Sequence, residues 1–179
     1  MGSVIVISGP PGAGKSTLAH QLRTRLSLPL LAKDTLKESL FDTLGYAGRE
    51  KSIEIGKAAF ELQYLVASEL IQANVDFILE TAFHRASADN LRSLLKTCEI
   101  MQVWVFADTD VLVERAKRRA RHPGHGGWSA KIEQEIRDKI SNGTYDPLDI
   151  GGELMKIDAN QFDSKTYQDA VNRLVERFA

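Results

Sequence analysis

Residues 3–17 read SVIVISGPPGAGKST, and this stretch decides the fold. A β-branched apolar run over 4–7 ends at a turn rich in glycine and proline, and a helical pattern follows from about Ser16. Residues 9–16 fit the spacing G-x-x-x-x-G-K-[ST], in which backbone amides surround a phosphate group. An ordinary glycine turn between a strand and a helix is the alternative, but the complete pattern in this context favours an anion-binding loop.

Each residue type in the loop has a physical reason. Glycines allow backbone N–H groups to turn inward and approach an anion closely, and the positive end of the helix dipole points at the same place. Lys15 places a charge on the β- and γ-phosphates, and the Ser16 hydroxyl is positioned to bind Mg²⁺. The pattern therefore predicts a nucleoside triphosphate site formed by Gly12, Ala13, Gly14, Lys15, Ser16 and Thr17.

The composition limits the possible partners. The 179 residues carry a formal net charge of −1, which argues against a broad nucleic-acid surface. Cys98 is the only cysteine, so neither an internal disulfide nor a cysteine-rich zinc site is possible. No apolar stretch is long enough to span a membrane, and because the first strand is predicted almost at residue 1 we expect no leader peptide. We expect a cytoplasmic protein, monomeric or homodimeric, with one domain over 1–179.

Strand-like runs alternate with helical patterns along the whole chain. Alternation of this kind predicts an α/β fold, a parallel sheet with helices on both faces. Ligands of such sheets bind outside the carboxyl ends of the strands, so the polar residues that follow each strand are the candidates for chemistry. The strands are predicted at 4–7, 28–32, 75–79, 100–107 and 154–157. A long helix is predicted from Gly48, with one apolar face formed by Ile55, Ala59, Leu62, Val66 and Leu70.

Two carboxylates follow predicted strands at this edge. Asp34 could orient and deprotonate an attacking hydroxyl, or it could be only the N-cap of the next helix. Glu80 could hold a magnesium-bound water or a substrate hydroxyl. Lys33 and Lys37 flank Asp34 and suit an anionic substrate or a bridging phosphate, and Arg85 is a candidate for binding the acceptor.

A basic helix predicted from Thr109 to about Arg121 precedes the glycine-rich segment HPGHGGW at 122–128. Arginines on a closing lid would stabilise the charge of a transferring phosphoryl group and exclude water. A solvated basic face is the common alternative. The glycines favour a short mobile lid over about 118–130, with Arg118, Arg119 and Arg121 as candidates for closing over the phosphates.

These segments resemble the P-loop small-molecule kinases, in particular the group that includes the kinase domain of phage-type polynucleotide kinase. Gluconate, shikimate and adenylate kinases are more distant in pattern. The resemblance implies a three-layer fold with sheet order 2-3-1-4-5, Asp34 as base, Arg115 near the adenine and Arg119 on the phosphates. It also places residues 158–160 against the adenine ring. Glu80 stands where the polynucleotide kinase motif has aspartate, and Lys37 where arginine is usual.

The pattern as a whole indicates an ATP- and Mg²⁺-dependent kinase that transfers the γ-phosphate directly to a hydroxyl of a small molecule. Lys15, Asp34 and Arg119 are the predicted catalytic residues, and Lys37, Glu80 and Arg85 the predicted acceptor contacts. Because the net charge is slightly negative, a small acceptor is preferred over a nucleic acid. A polynucleotide or nucleoside 5′-hydroxyl kinase and a nucleotide-binding switch remain the alternatives.

Overall fold

The computed structural model describes residues 1–45, 48–119, 122–125, 127–162 and 164–178. Five parallel strands form one sheet in the order β2-β3-β1-β4-β5. The strands are β1 (Ser3–Ser8), β2 (Leu30–Ala32), β3 (Phe77–Glu80), β4 (Glu99–Phe106) and β5 (Glu153–Asp158). The predicted α/β fold and its strand order are confirmed.

Seven α-helices and two short 3₁₀ turns are seen in the described part of the chain. The helices are α1 (Lys15–Leu26), α2 (Lys33–Leu44), α3 (Gly48–Gln72), α4 (Ala88–Leu94), α5 (Thr109–Arg118), α6 (Ala130–Ser141) and α7 (Lys165–Phe178). The 3₁₀ turns are Arg85–Ser87 and Pro123–His125, so the HPGHGGW segment contains a turn of regular structure that the sequence did not indicate. None of the helices in these ranges combines the length and the apolar surface needed to cross a membrane.

The central strand β1 distributes its side chains to the two faces of the sheet. Ile5 and Ile7 pack in a core shared with α1 and α7, whereas Val4 and Val6 pack in a second core shared with α3 and α4. All four side chains are completely buried. Because successive residues of a strand point to opposite faces, one apolar run can support two helical layers. This is the origin of the three-layer arrangement.

The buried stripe of the long helix α3 matches the predicted apolar face only at Ile55 and Ala59. Its buried residues are Ile55, Ala59, Gln63 and Ala67, at a regular spacing of four. Leu62 and Val66 belong to the predicted apolar face but are each 36 % exposed, so that face is not the buried one at these two positions. The polar Gln63 occupies the core position because its side-chain amide has two buried carbonyl partners, which are described below.

Helix boundaries also differ from the sequence prediction where they affect the site. Helix α2 begins at Lys33 with Ala32 as its N-cap, so Asp34 lies inside the first turn and the N-cap interpretation of Asp34 was wrong. Strand β3 includes Glu80 as its last residue. Helix α5 ends at Arg118, and Arg121 lies outside the described residues.

Candidate functional site

The loop between β1 and α1 is packed so tightly that two of its glycines admit no other residue without displacement. Gly12 has φ +83°, and a Cβ there would lie 2.2 Å from the Leu112 carbonyl oxygen. Gly14 has φ +86°, and its Cβ would lie 2.3 Å from the Phe162 ring. Left-handed backbone of this kind is strained for residues with a side chain. The loop therefore keeps the open backbone that an anion cradle requires.

Lys15 is buried at the start of α1, with 8 % of its surface exposed. Its Nζ donates a hydrogen bond to the Pro10 carbonyl oxygen at 2.9 Å, which holds the ammonium group across the loop. Burial lowers the pKa of Lys15, while Glu80 and Asp34 oppose that shift. A buried ammonium group beside an open amide cradle suits the phosphates of a nucleotide.

Glu80 joins the loop from the neighbouring strand. It pairs with Ile7 in the sheet register and is almost completely buried. Burial raises the pKa of Glu80, and the charge of Lys15 opposes that shift. The Ser16 hydroxyl donates a hydrogen bond to Glu80 Oε1 at 3.4 Å, so the predicted metal-binding hydroxyl and a carboxylate lie side by side.

This pair of oxygen donors fits Mg²⁺, which is bound by few protein groups and completes its octahedral shell with water and substrate phosphates. Across the described ranges, no cluster of three or more histidine, cysteine or carboxylate side chains forms a separate metal site. Ser16, with Glu80 behind it, offers oxygen donors for Mg²⁺ at this edge of the cavity.

Asp34 lines the same cavity from the first turn of α2. The cavity has a volume of about 990 Å³ and is lined by Lys15, Ser16, Glu80, Asp34 and Arg119 among others. Asp34, Lys15 and Glu80 line the same cavity, and the negative charge of Asp34 acts to raise the pKa of the other two groups. Asp34 remains 41 % exposed, and Lys33 Nζ lies 3.8 Å from its Oδ1. A carboxylate in this position can reach a substrate group that enters from the open side.

The arginines of α5 divide into separate roles. Arg119, at the end of the helix, lines the cavity, and its charge acts on Lys15 and Glu80. Arg118 lies outside the cavity, 81 % exposed, and forms an ion pair with Glu114 at 3.3 Å. The structure therefore does not bring Arg118 to the predicted nucleotide site, because it lies on the solvent side of α5.

Arg115 connects α5 to the loop that follows β5. Its guanidinium donates hydrogen bonds to the carbonyl oxygens of Ala159 and, at 2.9 Å, Asn160. The same group lies over the Phe162 ring, 4.2 Å from its centroid. Arg115 and Phe162 both line the cavity beside Gly14. Arg115 thus contacts residues 159 and 160 of the segment that the resemblance predicts to lie against adenine, and the adenine contact itself stays a prediction.

Arg85 does not reach the cavity. It begins a 3₁₀ turn directed toward residues 143–146, where its backbone N–H donates to the Thr144 carbonyl oxygen. Its side chain is 64 % exposed and lies 3.9 Å from Asp146 Oδ2. The neighbouring His84 lines the cavity instead. The predicted contact of Arg85 with an acceptor is therefore not supported by its placement.

Two histidines of the predicted lid contact helix α2. His122 Nε2 lies 3.0 Å from Asp42 Oδ1, and His125 Nε2 lies 2.9 Å from Glu38 Oε1. Both histidines line the cavity. These contacts between the two histidines and the carboxylates of α2 thus hold the described part of the lid segment over the open side of the site. Its mobility stays a prediction.

Gln63 is not among the residues predicted from the sequence. A polar residue within an apolar stripe of a helix was the one feature that could have indicated it. Its Nε2 donates to the carbonyl oxygens of Leu31 at 2.8 Å and Glu80 at 3.0 Å. These carbonyls belong to the carboxyl ends of β2 and β3. Gln63 therefore fixes the two strand ends that deliver Asp34 and Glu80 to the site.

A buried parallel strand that enters a glycine-rich loop with an embedded lysine, followed by a helix, defines a P-loop nucleotide-binding protein. Comparison with known proteins agrees with this class. Residues 4–137 match the AAA domain family. A solved structure of a presumed kinase from Chloroflexus aurantiacus is 33 % identical, with a TM-score of 0.87, and the match covers 98 % of this chain and 97 % of that one.

Two curated relatives are also kinases. A cytidylate kinase of Ignicoccus hospitalis is 33 % identical over 77 % of this chain and 75 % of its own length. A shikimate kinase of Rhodopseudomonas palustris is 32 % identical over 66 % of this chain, but the match spans only 57 % of that protein. This chain belongs to the AAA domain family, and the resemblance to P-loop kinases predicted from its sequence is confirmed.

Proposed function

We propose that the protein is a kinase that transfers the γ-phosphate of ATP to a hydroxyl group of a small molecule. The observation that carries the proposal is the convergence of Lys15, Asp34, Glu80 and Arg119 on one cavity at the carboxyl edge of the sheet. Each of these groups matches a need of phosphoryl transfer, which depends on positioning and on stabilising charge. The kinase relatives agree with the same reaction class.

In this proposal the acceptor oxygen forms a bond to the γ-phosphorus while the bond from that phosphorus to the β–γ bridging oxygen breaks. ADP leaves with the electron pair, and the proton of the acceptor hydroxyl passes to the Asp34 carboxylate. Lys15 and the amides between Gly12 and Thr17 hold the β- and γ-phosphates. Arg119 stabilises the negative charge on the transferring group.

Mg²⁺, when bound, would neutralise charge on the phosphates beside Ser16. Glu80 accepts the hydrogen bond of Ser16 and so keeps that hydroxyl oxygen oriented toward the cavity. Arg115 and Phe162 form the wall against which the base would lie. The histidines of the lid segment limit the access of water from the open side.

A screen of ATP consumption tests the proposal. The panel contains alcohols, sugars, nucleosides, antibiotics and oligonucleotides, and a stimulated rate identifies the acceptor class. We expect Asp34→Asn to lower kcat by about 10²- to 10⁴-fold, the usual contribution of a positioned base, with ATP affinity retained. Asp169→Asn is the matched control, because Asp169 is an exposed aspartate on α7.

Two results would overturn the assignment. ATP binding without phosphorylation of any member of the panel would favour a nucleotide-binding switch. Phosphorylation of oligonucleotides alone, with a steep dependence on salt, would favour a polynucleotide 5′-hydroxyl kinase.

A further inference from the structure

Two lysines of α2 converge on one point of the cavity wall. Lys33 and Lys37 are four residues apart, so they share a face of the helix. Both line the cavity opposite Gly56 of α3. A Cβ placed on Gly56 would lie 3.9 Å from the Nζ atom of each lysine. The missing side chain of Gly56 thus leaves open space between two ammonium groups.

Lys37 is a buried cation without a carboxylate partner in the described structure. Only 9 % of its surface is exposed. Its Nζ donates to the Ser52 hydroxyl at 3.0 Å and lies over the Phe41 ring, and the described ion pairs do not include it. Burial lowers the pKa of Lys37 and the charge of Lys33 lowers it further, while the charge of Asp34 opposes the shift without forming an ion pair with Lys37. Burying a charge without an ion partner is costly, so a bound anion would stabilise this arrangement.

The balance of charge on this side of the cavity is positive. Away from the P-loop and the arginines of α5, the lining contains four lysines and three carboxylates: Lys33, Lys37, Lys57, Lys139, Asp34, Glu38 and Glu80. The effect is visible at His84, whose pKa is lowered by burial and by the charges of Lys139 and Lys33. The paired ammonium groups of Lys33 and Lys37, which converge at Gly56, match the two negative charges of a phosphate group better than the single charge of a carboxylate.

We propose that the acceptor is a phosphomonoester, a small alcohol that already carries a phosphate group; this inference rests on the proposed function. That phosphate lies over Gly56, between the ammonium groups of Lys33 and Lys37 and beside the Ser52 hydroxyl. The hydroxyl to be phosphorylated points to Asp34. Because Lys33 Nζ lies 3.8 Å from Asp34 Oδ1, the phosphate and the reacting hydroxyl are separated by only a few bonds.

Binding of inorganic phosphate tests the site without catalysis. The P-loop is first saturated with Mg²⁺ and a non-hydrolysable ATP analogue, and phosphate or acetate is then titrated by calorimetry. We expect phosphate to bind and acetate to bind at least tenfold more weakly. Lys37→Met should weaken phosphate binding at least tenfold, whereas Lys96→Met, at an exposed lysine outside the cavity, should leave it unchanged.

Gly56→Ala tests phosphate binding at the anion site without lowering the stability of the fold. Its new Cβ would make ordinary van der Waals contacts at 3.8–3.9 Å, and alanine favours a helix interior, so the variant should unfold no more easily than the natural protein. The methyl group nevertheless projects into the space between Lys33 and Lys37 that is proposed for the phosphate. We expect at least a tenfold loss of phosphate affinity with all four lysines still present.

The outcomes distinguish this inference from the proposed function. Phosphate binding that is insensitive to both Lys37→Met and Gly56→Ala would overturn the phosphate site and leave the kinase proposal intact. Acetate binding as tightly as phosphate would also overturn it. Failure of the ATP analogue to bind would overturn the proposed function and the inference together.

Discussion

Arg115 is the residue whose removal most directly tests how the nucleotide side of the site is built. The substitution Arg115→Met keeps an apolar side chain on α5 but removes both hydrogen bonds to the carbonyls of Ala159 and Asn160. It also removes the cationic contact with the Phe162 ring. The loop that follows β5 would then lose its connection to α5.

The size of the effect follows from these contacts. A hydrogen bond from a charged donor contributes about 1.5–3 kcal/mol, and a partly exposed cation–π contact about 0.5–1 kcal/mol. Arg115 is only half-buried, so water can replace part of the two hydrogen bonds. We therefore expect the free energy of unfolding to fall by about 2–3 kcal/mol, or Tm by about 4–12 °C for a chain of this size.

Urea denaturation and calorimetric titration of ATP measure the two consequences. Because Phe162 and the 159–160 backbone line the predicted base site, ATP affinity should fall at least tenfold. Arg118→Met is the matched control, one turn away on the same helix, and should change the free energy of unfolding by less than about 0.5 kcal/mol. Equal losses in both variants, or unchanged ATP affinity in Arg115→Met, would refute this reasoning.

Three further predictions follow from single contacts. Gly12→Ala should lower the free energy of unfolding by about 1–2 kcal/mol through backbone strain alone. Because its Cβ would meet the Leu112 carbonyl oxygen, the variant should also lose tight ATP binding in a calorimetric titration. Unchanged ATP affinity would contradict the packing of the loop. Lys37→Met should raise the free energy of unfolding at pH 7 by about 1–2 kcal/mol, because it removes a buried charge. Because the pKa of Lys37 is lowered in the folded state, the folded protein releases this proton at a lower pH than the unfolded chain does. The natural protein therefore gains stability as the pH rises toward 10.5, and the difference in the free energy of unfolding between the two proteins should shrink. A difference that grows with pH would contradict this prediction. Gln63→Ala should lower the free energy of unfolding, measured by urea denaturation, by about 2–4 kcal/mol, because two buried carbonyl groups lose their hydrogen-bond donor. A loss below about 0.5 kcal/mol would show that these hydrogen bonds are dispensable.

The sequence predicted the parts of the fold that depend on local patterns. The β-branched run of β1, the glycine loop and the alternation of strands with helices are local features, and they were sufficient for the sheet order once the resemblance was recognised. The stripe of α3 was not predictable in the same way. Gln63 is buried because carbonyls from two distant strands meet its amide, and no periodicity rule contains that information.

The sequence predicted only part of the site, because the rest depends on how distant elements pack together. Asp34 and Glu80 follow from the rule that strand ends carry the chemistry of a parallel sheet. The separation of Arg115, Arg118 and Arg119 could not be read from a run of basic residues, because it depends on which side of α5 faces the loop after β5. The space above Gly56 likewise exists only because α2 and α3 pack against each other.

Transfer of labelled phosphate in a single turnover tests the central claim, that Asp34 and the P-loop act on the same phosphoryl group. The protein is mixed with ATP labelled at the γ-phosphate and with the acceptor identified by the screen. We predict that the label moves to the acceptor hydroxyl, and that Asp34→Asn slows this step by about 10²- to 10⁴-fold while ATP affinity stays within threefold. Label that appears only in inorganic phosphate, at the same rate in both proteins, would contradict the account.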